Sequence, residues 1–303
     1  MSKITIISSF YNADIYIDDF LYNVSQIIAY DTLCIHHAYN IIGSHIDNIF
    51  VQNKLNDFAS KHIGFKIIDI HKDPGLYELW NISAKNATTK YLMTFNIDDR
   101  CSPEYIIKGL HHLKTHNADL VCSSVKVTKK KNAKLDEYDK IWYNTKIIYY
   151  DSRYDMLLQM REANVIKVGD NLVELKPIKR YKLKSLQIPF KYKKRLKVLY
   201  NTIILEDMIV DWNCDGIYKS YNIPHCTPIW KKSLHKYGYF DEKTFGVCAD
   251  YEFWLRILKY KQNAKFLAIN NPMILYLEDE NSYGRKDTSM VLKRINLMYY
   301  KIV

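Results

Sequence analysis

Along the first 125 positions the apolar residues fall into two alternating patterns. Short runs rich in β-branched side chains, at 3–9, 33–36, 65–70, 91–95 and 120–127, read as strands buried on both faces. Between them, apolar residues recur at helical spacing: Ile17, Phe20, Leu21, Val24 and Ile28 within 15–30, with further amphipathic stretches at 46–59 and 76–87. Ser102-Pro103-Glu104 supplies a helix cap, a first-turn proline and an acid matched to the helix dipole, which predicts a helix to about His116. Strand–helix–strand units in series predict an α/β fold with a mostly parallel sheet. Such a sheet gathers ligands at the carboxyl ends of its strands.

From about 126 to 221 the pattern weakens. One helix is predicted over 152–163, with Met156, Leu157 and Met160 on one face. Periodicity returns at 222, with helices expected at 231–237 and 250–260 and one or two strands across 265–277. The predicted organisation is an N-terminal half (1–125), a variable middle (126–221) and a second half (222–303) that completes the site, all within one continuous domain.

Composition narrows the class. With 303 residues, 48% apolar and 25% charged, the chain is neither disordered nor repetitive. It has nine glycines and neither G-x-G-x-x-G nor G-x-x-x-x-G-K, which removes most support for dinucleotide and P-loop sites. The 26 tyrosines, beside abundant Ile, Lys and Asn, read as base-composition bias. The six cysteines include no C-x-x-C pair, so buried reduced thiols are expected rather than zinc or disulfides. No apolar stretch reaches the ~18 residues of a membrane span, and the first ten residues are too short for a signal peptide. The expectation is a soluble, cytoplasmic protein.

The net charge of +11 is localised. Ten cations and no acid lie within 175–205, leaving the rest of the chain at +1. Such a segment reads first as a solvated excursion, and otherwise as a peripheral contact for an anionic membrane or an acidic partner. Tyr181, Phe190, Tyr192 and Tyr200 interleave with the cations, the pattern of a nucleic-acid surface. Confinement to one segment and the lack of a binding motif argue against that rival.

Three places carry candidate chemistry. In Tyr91-Leu-Met-Thr-Phe-Asn-Ile-Asp98-Asp99 an apolar strand ends in two adjacent acids. A bare Asp-Asp pair is commonly solvated loop. At the carboxyl end of an inner strand it needs a positive neighbour, and a hard divalent cation held with a diphosphate satisfies that need. Asp73-Pro-Gly-Leu-Tyr-Glu-Leu-Trp80-Asn81 combines ordinary turn chemistry with an Asn inside a helix, where it needs a partner. Asp250, in Gly246-Val-Cys-Ala-Asp250, opens a helix whose face is Tyr251, Trp254, Leu255 and Leu258. It reads as an N-cap or as a general base aimed into a cleft.

With Ile6-Ile-Ser-Ser-Phe-Tyr-Asn12, Trp230-Lys-Lys-Ser-Leu and Gly238-Tyr-Phe-Asp-Glu242, these motifs resemble, in order, the family-2 glycosyltransferases of the GT-A fold. The resemblance covers about 3–125 and 222–283. It implies a GT-A, Rossmann-like sheet flanked by helices, and a nucleotide-sugar donor, UDP-linked by preference. It also implies Mn²⁺ or Mg²⁺ and an inverting transfer to a glycan, protein or lipid hydroxyl. Carried over by position, Asp99 is the metal ligand and Asp98 its partner near the donor. Ser8, Phe10 and Tyr11 lie against the nucleotide, Asp73 and Asn81 flank the base and ribose, and Asp250 is the base. Trp254 and Arg256 are expected to be structural. Three positions depart from the family: His36-His37-Ala38-Tyr39-Asn40 stands where its second strand ends in Asp-Asp-Gly-Ser, Asn96 replaces an acid, and no His accompanies Glu278 and Asp279. A non-catalytic GT-A-like binding module is the alternative that those departures favour. Retention of Asp99 and Asp250 opposes it.

Overall fold

The computed structural model describes residues 2–142, 227–261 and 264–279. Between these lie strand segments at 148–151, 156–159, 163–168, 172–177 and 209–212, and short helical pieces occur at 290–291, 294–295 and 298. Four parallel strands form the N-terminal half: β1 (Ile4–Phe10), β2 (Cys34–Ile41), β3 (Phe65–Ile70) and β4 (Tyr91–Thr94). β1 lies between β2 and β4, with Ile4 opposite both Cys34 and Tyr91. β3 borders β2. The helices between them are α1 (Ile17–Ser25), α2 (Asn48–Lys61) and α3 (Leu76–Asn86). α4 (Tyr105–Thr115) leads into β5 (Leu120–Thr128).

The second half completes the same sheet. β6 (Ile229–Lys231) inserts antiparallel between β4 and β5, and β7 (Phe266–Leu277) runs parallel to β5 on its other side. The β5–β7 register shifts around Pro272, which cannot donate to a ladder and therefore sits at an irregularity. α5 (Ala249–Tyr260) precedes β7.

Alternation along β1 divides the core. Ile4, Ile6 and Phe10 join Phe20, Val24, Val51, Leu55, Ile106 and Leu113 under α1, α2 and α4. Ile7 faces the other way, toward Trp80, Trp230, Phe240, Phe253 and Trp254 under α3 and α5. Two helical layers on one sheet bury both faces, which explains the uninterrupted apolar strands.

Several boundaries differ from the sequence expectation. The helix predicted over 152–163 is not found: Met156–Gln159 and Ala163–Val168 are strands of two antiparallel hairpins. Pairing across a hairpin outweighs the weak helical spacing of three apolar residues. The division drawn at 125 falls inside β5, and the middle region lends Lys140–Trp142 to β5 and Ile209–Trp212 to β7. Ser102 does not cap α4 with its side chain; Glu104 precedes the helix, and the Ser102 carbonyl instead accepts the Tyr105 amide at 3.0 Å. The basic segment 175–205 lies outside the described residues except for the end of one hairpin strand, Leu172–Pro177. Cys34, Cys101, Cys122 and Cys248 are buried cysteines. Among the described residues, no helix is long and apolar enough to cross a membrane.

Candidate active site

The Asp98–Asp99 turn sits where the carboxyl ends of β4 and β7 meet. Arg100–Cys101 pairs antiparallel with Leu275 and Ile274 of β7, which carries the turn to that strand's end. There the Leu277 amide donates to Asp99 Oδ1 at 3.3 Å, and Asn96 Nδ2 donates to Oδ2 at 3.4 Å. Asp99 is fully buried. Burial, with the Asp98 charge beside it, pushes its carboxyl well above the usual carboxylate range. Asp98 is half-buried, and burial raises it too, with Asp279 adding to the effect.

Arg100 holds this turn from behind. It is 4% exposed, and its Nη1 donates to the carbonyls of Ile97 (3.0 Å) and Asp99 (2.7 Å). Nη2 donates to Asn132 Oδ1 at 3.3 Å, while Asn132 Nδ2 donates to the Ile15 carbonyl at 2.6 Å. One buried guanidinium thus ties the acidic turn to the β1–α1 connection through a residue of the middle region. Lys131 pairs with Asp279 at 3.4 Å and Lys140 with Glu278 at 2.9 Å. These two acids therefore close the middle region against β7.

The two adjacent acids fit a divalent cation. They are hard oxygen donors, Asp99 receives only long hydrogen bonds, and each acid raises the cost of ionising the other. Among the described residues, no group of three or more His, Cys, Asp or Glu side chains gathers as a cage. Two carboxylates with substrate phosphates and water match the usual Mg²⁺ arrangement.

Asp250 occupies the first turn of α5, after the 3-10 turn Gly246–Cys248. Burial pushes its carboxyl up to about 6, against the lowering effects of the Tyr251 amide (2.7 Å to Oδ1) and the Tyr77 hydroxyl. Tyr77 lies at the start of α3, hence at the carboxyl end of β3. The Asp250 segment is therefore docked on the same edge of the sheet as Asp99. Glu242 secures the docking. Its carboxylate accepts the Tyr77 amide at 3.2 Å, in the space a Cβ at Gly75 would occupy (2.6 Å, φ +95°).

The remaining predicted residues divide. Tyr11 is 51% exposed beyond β1. Asp73 is exposed and accepts the Gly75 amide at 2.9 Å. Ser8 and Phe10, expected against a nucleotide, turn their side chains inward. Ser8 Oγ donates to the Phe95 carbonyl at 2.6 Å and meets His36 Nε2 at 2.8 Å, while Phe10 packs on Phe20 and Phe65. Asn81 is likewise committed to the fold. Its amide donates to the Phe240 carbonyl at 2.8 Å and to Glu78 at 3.1 Å, and accepts the Phe240 amide at 3.0 Å. That is the partner a mid-helix Asn requires, and it leaves the side chain no donor for a ribose. Arg256 is structural as expected, bidentate with Glu252 and donating to the Tyr237 and Tyr239 carbonyls. Trp254 is 1% exposed in the core.

The second strand also ends later than predicted. His36 is fully buried between Tyr30 and Ser8 and held neutral, its pKa lowered to about 3 by burial. His37 bonds Ser83 at 2.7 Å. β2 runs on to Ile41, so its exit turn is Ile42-Gly43-Ser44, with Gly43 at φ +86°. A run of polar side chains inside a buried strand concealed this extension. Asn40, at the strand end, donates to Gln52 and Asp69 and accepts from His45, beside a shallow groove lined by Ile42, Asn48, Ile49 and Asn53.

Comparison with known proteins follows this geometry. The model for glycosyl transferase family 2 matches residues 50–170. Over that span the chain is similar to family-2 glycosyltransferases. Among solved structures it superposes on residues 1–349 of S. aureus TarS with a TM-score of 0.56 at 13% identity, covering 97% of this chain and 64% of that one. The complex of TarS 1–349 with UDP-GlcNAc gives 0.59 at 12% identity, covering 97% and 66%. TarS itself gives 0.57 at 12%, covering 97% and 39%. The chain thus spans less than two thirds of each of these structures. At such identity the likeness is one of GT-A fold. No curated protein sequence matches the chain significantly.

Tyr77, Arg100 and Asn132 are site residues that the sequence analysis passed over. Tyr77 lay in view within the Asp73–Asn81 motif, one helical turn before Asn81 on α3. Arg100 and Asn132 carry no comparable signal, because their partnership spans 32 residues of chain.

Proposed function

We propose that the protein transfers a glycosyl group from a nucleotide-sugar to an acceptor hydroxyl by a single inverting displacement. The observation that carries the reading is the pairing of two differently built acid centres, Asp98–Asp99 and Asp250, on one carboxyl edge of a GT-A sheet. UDP-GlcNAc is the first donor to test, since TarS structures hold UDP-GlcNAc and UDP.

Asp99, with Asp98, would hold Mn²⁺ or Mg²⁺, which supplies charge neutralisation for a departing diphosphate. Arg100 keeps the backbone of their turn in place. Tyr11 and Asp73 lie on the nucleotide side of the same edge. Asp250 takes the proton of the acceptor hydroxyl as its oxygen bonds to the anomeric carbon and the bond from that carbon to the diphosphate oxygen breaks. A carboxyl held near 6 is largely ionised at neutral pH yet still basic enough for this role. Lys131 and Lys140, paired with Asp279 and Glu278, border the acceptor side.

Calorimetric titration of UDP and UDP-GlcNAc, with and without Mn²⁺, tests the assignment. Wild-type protein should bind in a Mn²⁺-dependent manner, and Asp99→Asn should weaken that binding at least about tenfold, a loss of one charge–metal contact. Equal, metal-independent affinity in both proteins would contradict it.

A further inference from the structure

The loop at 129–139 leaves β5 and returns to the same strand through Lys140–Trp142. It is braced at its base. The Lys129 amide donates to Asp139 Oδ2 at 2.8 Å, and the Asp139 amide donates to the Val127 carbonyl at 2.8 Å. Asn132, in the far part of the loop, stands at φ +54°, in the left-handed region that asparagine tolerates better than most side chains. There both ends of one side-chain amide are engaged across the molecule. Oδ1 accepts Arg100 Nη2 at 3.3 Å, and Nδ2 donates to the Ile15 carbonyl at 2.6 Å. The neighbouring Lys131–Asp279 pair, at 3.4 Å, is exposed on its lysine side and screened by salt, so the amide is the firmer anchor.

We propose that Asn132 is a positioning residue for the donor site, acting through Arg100 to fix the Asp98–Asp99 turn against the β1–α1 connection. The proposal rests on the reading of Asp98–Asp99 as the metal and diphosphate centre. The hydrogen bonds of Arg100 all end on neutral oxygens: the carbonyls of Ile97 and Asp99, and the Asn132 amide. A guanidinium bonded directly to the Asp99 carboxylate would occupy the oxygens a cation needs. Bonded to the backbone instead, it places the turn and leaves both carboxylates as hard donors. Buried N–H groups require acceptors, and Asn132 is the partner of Nη2 among the described residues. The same amide holds Ile15, four residues after Tyr11, so the nucleotide side and the acidic turn share one spacer of fixed length.

Asn132→Gly removes the amide and supplies the residue most at home at φ +54°. Hydrogen exchange of the intact protein, with no ligand added, reads the positioning itself. The Asp99 and Cys101 amides are held by the Asn96 carbonyl (3.1 Å) and by Asn23 Oδ1 (2.9 Å). Both should exchange about tenfold faster in Asn132→Gly, as expected for loss of one hydrogen bond to a charged group, while β1 and β4 keep their wild-type rates. Calorimetric titration then reads the consequence. Affinity for UDP with Mn²⁺ should fall about tenfold, and metal-free affinity should hold. KM for UDP-GlcNAc should rise with kcat unchanged at saturating donor, since Asp250 is untouched. Unchanged exchange at Asp99 and Cys101, even with a lower melting temperature, would show that Asn132 only seats its own loop and would overturn the proposal. Faster exchange with wild-type, Mn²⁺-dependent affinity would overturn it equally. Failure of the metal-centre reading appears separately, as metal-independent UDP affinity in the wild-type protein.

Discussion

Asp99 and Asp250 are both acids at the carboxyl edge of one sheet, yet they carry their burial differently. Asp99 has a second acid as its chain neighbour, weak hydrogen bonds at 3.3 and 3.4 Å, and a buried Arg that spends two of its bonds on backbone carbonyls. Asp250 has a 2.7 Å amide contact and no adjacent acid in sequence beyond its own helix turn. The first arrangement leaves negative charge in search of a cation. The second balances one carboxyl between its two protonation states. The two acid centres thus come from two halves of the chain, and the sheet brings them to a common edge.

That contrast is most severely strained by removing the proton acceptor. Asp250→Asn should lower kcat by about 10²–10⁴ while nucleotide affinity holds, because Asn keeps the size of Asp and an oxygen for the Tyr251 amide but accepts no proton. Comparison of turnover with nucleotide titration checks it. Folding should respond in the opposite direction. A carboxyl raised from 3.8 to about 6 contributes stability that is complete below pH 3.8 and lost as pH rises through 6. At pH 7.5 the melting temperature of Asp250→Asn should therefore equal or exceed that of wild type. Asp99→Asn sharpens the other half: nucleotide binding should lose its Mn²⁺ dependence.

Smaller effects fall on the scaffold between the two centres. Asn81→Ala leaves the Phe240 amide and carbonyl without their side-chain partner and should cost about 1–3 kcal/mol, read by denaturant unfolding. Nucleotide affinity of the folded fraction should hold, which separates this residue from the donor pocket. The smallest change is expected from Asp73→Ala. Its single bond to the Gly75 amide is exposed, so stability should move by less than about 0.5 kcal/mol. A larger loss confined to nucleotide affinity would mark Asp73 as a donor contact.

Much of this molecule was legible in the order of its residues. Apolar runs of five to nine residues alternating with helical spacing define β1 to β5 and their helices, because burial on both sheet faces demands side chains of one kind. The Asp98–Asp99 pair and Asp250 stand out because ionisable groups are rare where a chain enters its core. Local pattern misled where a polar residue was sequestered. His36, His37 and Asn40 made β2 seem to end early, though each has its hydrogen bonds satisfied by distant partners. Ser8, Phe10 and Asn81 belong to motifs whose neighbours face the cleft, yet their own side chains turn into the layers. Only tertiary structure decides such cases, since the direction of a side chain depends on which partners the sheet register brings within 3 Å. Arg100 reaching Asn132, Asn81 clasping Phe240 and Tyr77 meeting Val247 join residues 32 to 170 positions apart. Periodicity reports which face of an element is buried; the identity of the group across from it is set when the elements pack.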